Sequence, residues 1–193
     1  MSQQCQQAYN RASRILGLLH RTIQYKNTGI LLRLYKSLVR PHVEYCISAW
    51  SPYYKKDKIL IEKIQRRFTR MIPSVKSLPY QDRLEQLNLW SLEDRRIRAD
   101  LIQVFKIIHG ISSIKFRTFF EYSTYDRTRG HSLKLVKKRA RLDLRQHFFS
   151  ERVVNMWNSL DNDTVRASSV NSFKRHLQTF HKDGSFARLR QSV

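Results

Sequence analysis

Four cationic residues are spaced so that their side chains can share one side of a helix. They are Lys63, Arg66, Arg67 and Arg70, at positions i, i+3, i+4 and i+7, and Glu62 at the edge is the acid nearest to them. Arginine forms bidentate hydrogen bonds with phosphate, and lysine attracts phosphate as a point charge. The spacing favours contact with the phosphates of a polyanion over a merely solvated helix face, which is the ordinary interpretation of a charge run.

A second cationic stripe precedes the first. Arg33, Lys36 and Arg40 share one side of a predicted helix, and apolar residues at positions 31, 34, 35, 38 and 39 form the opposite side. An apolar stripe needs a core to pack against. Both cationic stripes, on the opposite sides of their helices, are therefore predicted to face outward from a folded domain. We expect these three cations to contact phosphates as well.

A third cationic segment spans residues 127–145, where eight Lys or Arg accompany a single acid, Asp143. Such a density of like charge repels itself unless an anionic partner is bound. The segment therefore favours nucleic acid as its partner. Its candidate phosphate ligands are Arg129, Lys134, Lys137, Lys138 and Arg139.

Aromatic residues near the first two stripes offer a second kind of contact, because bases and sugars stack on exposed rings. Tyr53 and Tyr54 precede two lysines, which is compatible with the edge of a nucleic-acid site. For Trp50, packing in the core is the favoured interpretation. Trp90 and Trp157 lie on apolar stripes and are predicted to be core residues.

Catalysis needs groups that converge, and this sequence offers few. The acids are scattered, and the one adjacent pair, Glu93-Asp94, stands at a predicted helix start, where acids stabilise the helix dipole. Two-metal phosphoryl transfer would need several carboxylates around the ions. The chain has no phosphate-binding loop or nucleophile-elbow motif, and its seven His lack metal-ligand spacing. We expect no autonomous enzyme activity, no metal and no cofactor.

The composition points the same way. With 37 Lys and Arg against 15 Asp and Glu among 193 residues, the net charge is +22. Nucleic acid is the commonest partner for such an excess, although an anionic membrane or an acidic protein would also satisfy it. Hydrophobic residues make up 41% of the chain, including ten Phe, which argues against a disordered basic tail.

Helical periodicity recurs along the chain, and Gly and Pro are few. We predict a mainly α fold, a bundle or bundles of about seven or eight helices. His131 to Leu135 alternates with period two, so at most a short strand or hairpin is expected near residues 128–142. Pro41 is expected to kink or interrupt the second helix because it lacks an N–H group.

Two local patterns predict where helices begin and end. Thr28 is a candidate N-cap for the second helix. Ser91 and Asp94 resemble a capping box, and the long helix that they begin is predicted to end at Gly110.

The two cysteines and the apolar runs bear on the compartment. Cys5 and Cys46 form no paired motif and are predicted to be reduced thiols. No apolar run is long enough to span a bilayer, and the N-terminus lacks the apolar core of a signal peptide. We expect an intracellular protein, in the nucleus or cytoplasm, that is neither secreted nor inserted in a membrane.

Several blocks of the chain resemble, in order, the region downstream of the palm in reverse transcriptases of LINE-type non-LTR retrotransposons, of the jockey and chicken-repeat kind. The resemblance spans nearly the whole chain. The blocks are LYKSLVRPHVEYCISAWSP (34–52), IEKIQRRFTRMIP (61–73), LNLWSLEDRRIRADLIQVFKIIHG (87–110), TRGHSLKL (128–135), FFSERVVNMWNSL (148–160) and SVNSFKRHL (169–177).

The resemblance implies a helical thumb, which in that family grips the template–primer duplex of an RNA-directed DNA polymerase through phosphate and sugar contacts. It assigns residues 1–75 to the thumb and 76–181 to the region after it, which includes the basic segment 127–145. Independently of the resemblance, residues 182–193 are predicted to be a flexible tail. The Tyr/Phe-x-Asp-Asp turn of the palm is absent, so no residue inherits a catalytic role.

The sequence therefore predicts a truncated element of a transposable-element polymerase, which binds an RNA–DNA hybrid or duplex with low sequence specificity. The rival hypothesis is a non-functional or co-opted helical fragment for protein interaction. Its exposed palm-facing surface would then lead to self-association.

Overall fold

The computed structural model describes residues 1–124, 130–186 and 189. Within these residues the chain is mainly helical, which confirms the predicted fold class. In its described residues, the predicted strand region contributes one isolated antiparallel bridge, between Tyr122 and Leu135.

The chain divides into two compact units. Unit 1 comprises Met1–Ile47 and Ser51–Arg95, and unit 2 comprises Ser48–Trp50 and Arg96–Val193. The division expected near residue 75 concerns the two regions of the reverse-transcriptase resemblance, and it stays a prediction.

Unit 1 contains the cationic stripes of the first half of the chain. Its helices are α1 (Ser2–Thr22), α2 (Thr28–Leu34), the π-helix π1 (Tyr35–Val39), α3 (Arg40–Glu44), α4 (Lys55–Arg70), α5 (Tyr80–Gln86) and the first turn of α6 (Leu92–Ile108).

The core of unit 1 forms where α1 packs against α4. Leu16 on α1 and Ile64 on α4 are both buried, as are their neighbours at helical spacing. The ring of Tyr35 stacks on Phe68 with centroids 4.1 Å apart. The Tyr35 hydroxyl donates to Gln65 Oε1 at 2.9 Å, so the one polar atom of this buried ring is satisfied. Burial of the apolar faces leaves the opposite, cationic faces of both helices in solvent.

Pro41 lies just after the start of α3, and the five residues of π1 precede it. The proline ring would clash with the carbonyl four residues earlier in an α-helix, and it has no N–H to donate there. The wider π turn removes that conflict. The helical path therefore continues past Pro41, with its regular α hydrogen bonding interrupted.

Two helix starts test the predicted caps. The N-cap of α2 is Asn27 and not Thr28, because Asn27 Oδ1 accepts from the Ile30 N–H at 3.1 Å. The capping pattern at α6 is confirmed. Ser91 Oγ accepts from the Asp94 N–H at 3.1 Å and donates to Asp94 Oδ2 at 2.7 Å.

In unit 2, α6 ends as predicted at a glycine. Gly110 has a φ of +66°, a left-handed conformation that suits glycine. Its N–H donates to Ile107 O at 3.3 Å, and the Ile111 N–H donates to Lys106 O at 2.8 Å. This pair of bonds is the Schellman motif. The other described helical segments of unit 2 are a 3₁₀ turn (Phe116–Thr118), α7 (Asp143–Gln146), α8 (Phe149–Asn158), α9 (Asn162–Val165) and α10 (Val170–Lys182).

The predicted strand is an extended segment held against α8. The side-chain amide of Asn158 bonds both backbone groups of Leu135, each at 2.8 Å, as a neighbouring strand would. Trp157 is fully buried, and its Nε1 donates to Leu133 O at 2.8 Å. The segment's backbone is thus satisfied by side chains of a helix, which is why no sheet is needed there.

Three further observations concern earlier expectations. Trp50, Trp90 and Trp157 are buried, as predicted for core residues. Cys5 is buried and Cys46 is exposed, and no disulfide joins them. In the described part of the chain, no helix combines the length and apolarity needed to cross a bilayer.

The predicted tail begins where α10 ends, at Lys182. Beyond that helix, the side chains of Phe186 and Leu189 are buried. Residues 187, 188 and 190–193 lie outside the described residues.

Candidate nucleic-acid interface

The C-terminal halves of α1 and α4 frame an open cleft of about 770 Å³ in unit 1. We call it the cationic cleft, because six Lys and Arg line it. They are Arg14, Arg21, Lys26, Arg67, Arg70 and Lys76. In the part of the chain that the structure describes, no acidic residue lines it.

Helix geometry brings these cations together. Arg14 and Arg21 are seven residues apart on α1, and Arg67 and Arg70 are three apart on α4, so each pair lies on one face of its helix. Arg67 Nη1 donates to Ser13 Oγ on α1 at 2.6 Å, which fixes the arginine across the cleft. All four arginines are exposed.

The spacing of the cations suits a nucleic-acid backbone. From Arg14 to Arg21 the helix rises ~10 Å. Phosphates of one strand of a duplex follow one another every ~3.4 Å along the axis, so this rise spans about three nucleotide steps. Since none of the described residues that line the cleft is acidic, its cations create a strong positive potential. The arrangement can therefore attract and hold several consecutive phosphates.

Gly17 also lines the cleft, between the two arginines of α1. A Cβ atom built on Gly17 would meet nothing within 4 Å beyond its own helix, so the space above the glycine is open. Glycine weakens a helix interior by about 0.5–1 kcal/mol relative to alanine. At this position it leaves the wall between Arg14 and Arg21 free of side-chain atoms.

The stripe predicted on α4 divides between two environments. Arg67 and Arg70 face the cleft, whereas Lys63 and Arg66 are exposed outside its lining. The guanidinium carbon of Arg66 lies 4.1 Å from the centre of the Tyr80 ring, in a cation–π contact with α5.

The first predicted stripe also divides. Arg33 and Lys36 are exposed. Arg40 is half-buried, and its Nε lies 3.6 Å from Glu44, which Arg95 holds in a bidentate ion pair. Burial lowers the pKa of Arg40, and the positive charge of Arg95 lowers it further. Arg40 therefore belongs to an ion-pair cluster of unit 1, although its role toward phosphate stays untested.

In unit 2, the basic segment is partly bound to its own protein. Lys137 Nζ donates to Glu151 O at 2.6 Å, and Lys138 pairs with Glu121 at 2.6 Å. These two lysines and Arg139 line a second pocket, of about 460 Å³. Lys134 is half-buried, and the predicted ligand Arg129 lies outside the described residues.

The charge pattern of the sequence predicted two of the six cleft cations, Arg67 and Arg70, and missed the other four. Arg14 and Arg21 carry a usable signal, because they repeat at i and i+7 in a segment without acids. Lys26 follows α1 and Lys76 follows α4, and no periodicity places such residues. They reach the cleft only because the two helices that precede them pack together.

Comparisons of the chain with protein-family models, with curated proteins and with solved structures find no match. The cleft's chemistry is that of an anion-binding groove. It offers guanidinium and ammonium donors in a solvent-accessible channel, which suits positioning of a charged backbone more than the reading of bases.

Proposed function

We propose that the chain binds an RNA–DNA hybrid or another nucleic-acid duplex through its phosphates, with the cationic cleft as the principal contact. The single observation that carries the proposal is that six Lys and Arg from α1, α4 and the segments after them converge on one groove, whose described lining contains no acid. Such contacts are nearly independent of sequence, and they weaken steeply with salt because bound counterions are released.

The proposal extends to the origin of the chain. A thumb and post-thumb fragment of a LINE-type reverse transcriptase would grip a duplex but lack the palm that extends a primer. The cleft supports the gripping role. Without the palm aspartates, we infer that the chain does not polymerise DNA by itself.

The test is the affinity for a fluorescein-labelled RNA–DNA hybrid of 16 base pairs, measured by anisotropy. Two variants carry the same change of charge. Arg14→Glu/Arg21→Glu reverses two cleft cations, and Lys55→Glu/Lys56→Glu reverses two exposed lysines in the first turn of α4. Twelve residues separate Lys55 from Arg67, or ~18 Å along the helix. This exceeds the screening length of about 10 Å at 0.1 M salt.

We expect the cleft variant to lose on the order of a hundredfold in affinity and the control to change by a few-fold. The logarithm of the wild-type affinity should fall against the logarithm of salt concentration with a slope of up to about −5, since six cations each contribute roughly −0.9. Equal losses in both variants would show that net charge, and not the cleft, binds the duplex. No binding by the wild type at low salt would refute the proposal.

A further inference from the structure

Arg83 on α5 is a buried cation for which unit 1 supplies no opposite charge. Its side chain is 3% exposed, and its Nε is buried without a hydrogen-bond partner. Nη1 donates to Arg66 O at 3.3 Å, which is a long bond to a neutral group. Among the described residues, no carboxylate forms an ion pair with Arg83.

The neighbours of Arg83 are themselves cationic. Its guanidinium carbon lies 5.3 Å from the centre of the Tyr80 ring, on which Arg66 also stacks. Burial lowers the pKa of Arg83, and the positive charge of Arg70 lowers it further. Glu62, which interacts electrostatically with Arg66, is bonded to the Tyr80 hydroxyl and to the Leu92 N–H. We call Arg66, Arg70 and Arg83 the arginine triad.

A buried charge normally has a partner, because its removal from water costs free energy that only an opposite charge or strong hydrogen bonds offset. Arg83 Nη1 bonds to the backbone oxygen of Arg66, and Arg70 lies one turn further along α4, so the three arginines are neighbours. Arg66 and Arg70 are exposed, so their side chains can move to admit a ligand.

We propose that the arginine triad binds one phosphate group, and that its ligand class is a phosphate monoester or inorganic phosphate. A monoester carries a charge of roughly −1.5 to −2 at pH 7, whereas an internal phosphodiester carries −1, so three guanidinium groups favour the monoester. The terminal phosphate of a nucleic-acid strand has this chemistry. Arg70 also lines the cationic cleft, so that source rests on the proposed function.

The first experiment uses inorganic phosphate and the full chain, and it compares melting temperatures in phosphate and in chloride at equal ionic strength. At a phosphate concentration about ten times the dissociation constant, the wild type should melt roughly 3 °C higher. Arg83→Met and Arg70→Gln should lose most of this rise. Lys55→Gln, which changes an exposed cation of α4 outside both the triad and the cleft, should keep it.

Arg83→Met also separates a ligand from a structural arginine. If the triad is an anion site, the variant should melt in chloride at the wild-type temperature or above, since an uncompensated buried charge has been removed. A lower melting temperature in both salts would show that Arg83 is structural and would overturn the proposal. An equal response to phosphate in the wild type and in Arg70→Gln would do the same.

The second experiment identifies the source by comparing oligonucleotides with and without a 5′-phosphate. The wild type should prefer the phosphorylated strand by about tenfold, the value of one charged hydrogen-bonding pair. Arg70→Gln should abolish this preference, and Arg21→Gln should weaken both strands equally. Duplex binding without any response to phosphate would refute the triad alone, whereas a phosphate response without duplex binding would refute the proposed function alone.

Discussion

Substitution of Gly17 can raise the stability of α1 and at the same time lower the affinity of the cleft for a duplex. It lies three residues after Arg14 and four before Arg21, in the interior of α1, and the space above it is open. Gly17→Glu should therefore stabilise the helix and also obstruct the cleft. Gly17→Ala and Gly17→Gln are the matched controls, because they improve the helix without adding charge.

The magnitudes follow from the position. Replacing a helical glycine gains about 0.5–1 kcal/mol. A glutamate at position 17 would also pair with Arg14 and Arg21 at helical spacing, for about 0.2–0.5 kcal/mol each. The sum, about 1–2 kcal/mol, should raise the melting temperature by roughly 2–8 °C for a chain of this size. In binding, the same carboxylate neutralises at least one cation, so the salt slope should fall by about 1 and the affinity by on the order of tenfold.

Thermal denaturation and hybrid anisotropy on the same three preparations test this reasoning. Gly17→Ala should be more stable and bind normally, Gly17→Gln should be more stable and bind somewhat less, and Gly17→Glu should be the most stable and the weakest binder. A destabilised Gly17→Ala would show that the glycine is needed for the helix path. A Gly17→Glu variant with wild-type affinity and slope would show that duplex does not occupy the cleft.

Two predictions concern unit 2. His131 Nε2 donates to Trp157 O at 3.0 Å, and burial lowers the pKa of this histidine. As the pH falls, the unfolded chain therefore binds a proton at His131 before the folded chain does. This stability is present above about pH 6.5 and is lost as the pH falls below it. His131→Gln should lose less stability than the wild type between pH 7.5 and 5.5 in urea titrations, and an equal loss would contradict this. Asp100 and Arg152 form a buried bidentate pair at 2.9 and 3.0 Å. Asp100→Asn should cost about 3–5 kcal/mol in urea denaturation, and a loss under 1 kcal/mol would show that the pair is dispensable.

Sequence periodicity predicted the longer helices α1, α4 and α10 because each of them buries residues along one face. Phe173 and Leu177, four residues apart on α10, are both fully buried. Periodicity does not indicate which helices become neighbours. The pairing of α1 with α4 decides that Arg14 joins Arg70 in one groove, and it leaves Lys63 outside. Likewise, the extended segment before α7 could be predicted from its alternation, whereas Asn158 as its bonding partner depends on tertiary packing.

The π-helix changes the direction around the helix axis in which the charged side chains after it point. In an unbroken α-helix, Arg33, Lys36 and Arg40 would point in nearly the same direction. A π turn closes its hydrogen bonds over one additional residue, so everything after Val39 is turned back by about the angle of one residue, ~100°. Arg40 is thereby turned away from the direction of Arg33 and Lys36, and it is half-buried while these two residues are exposed. Pro41 thus affects the arrangement of charges as well as the backbone, because the π turn that accommodates it separates Arg40 from Arg33 and Lys36.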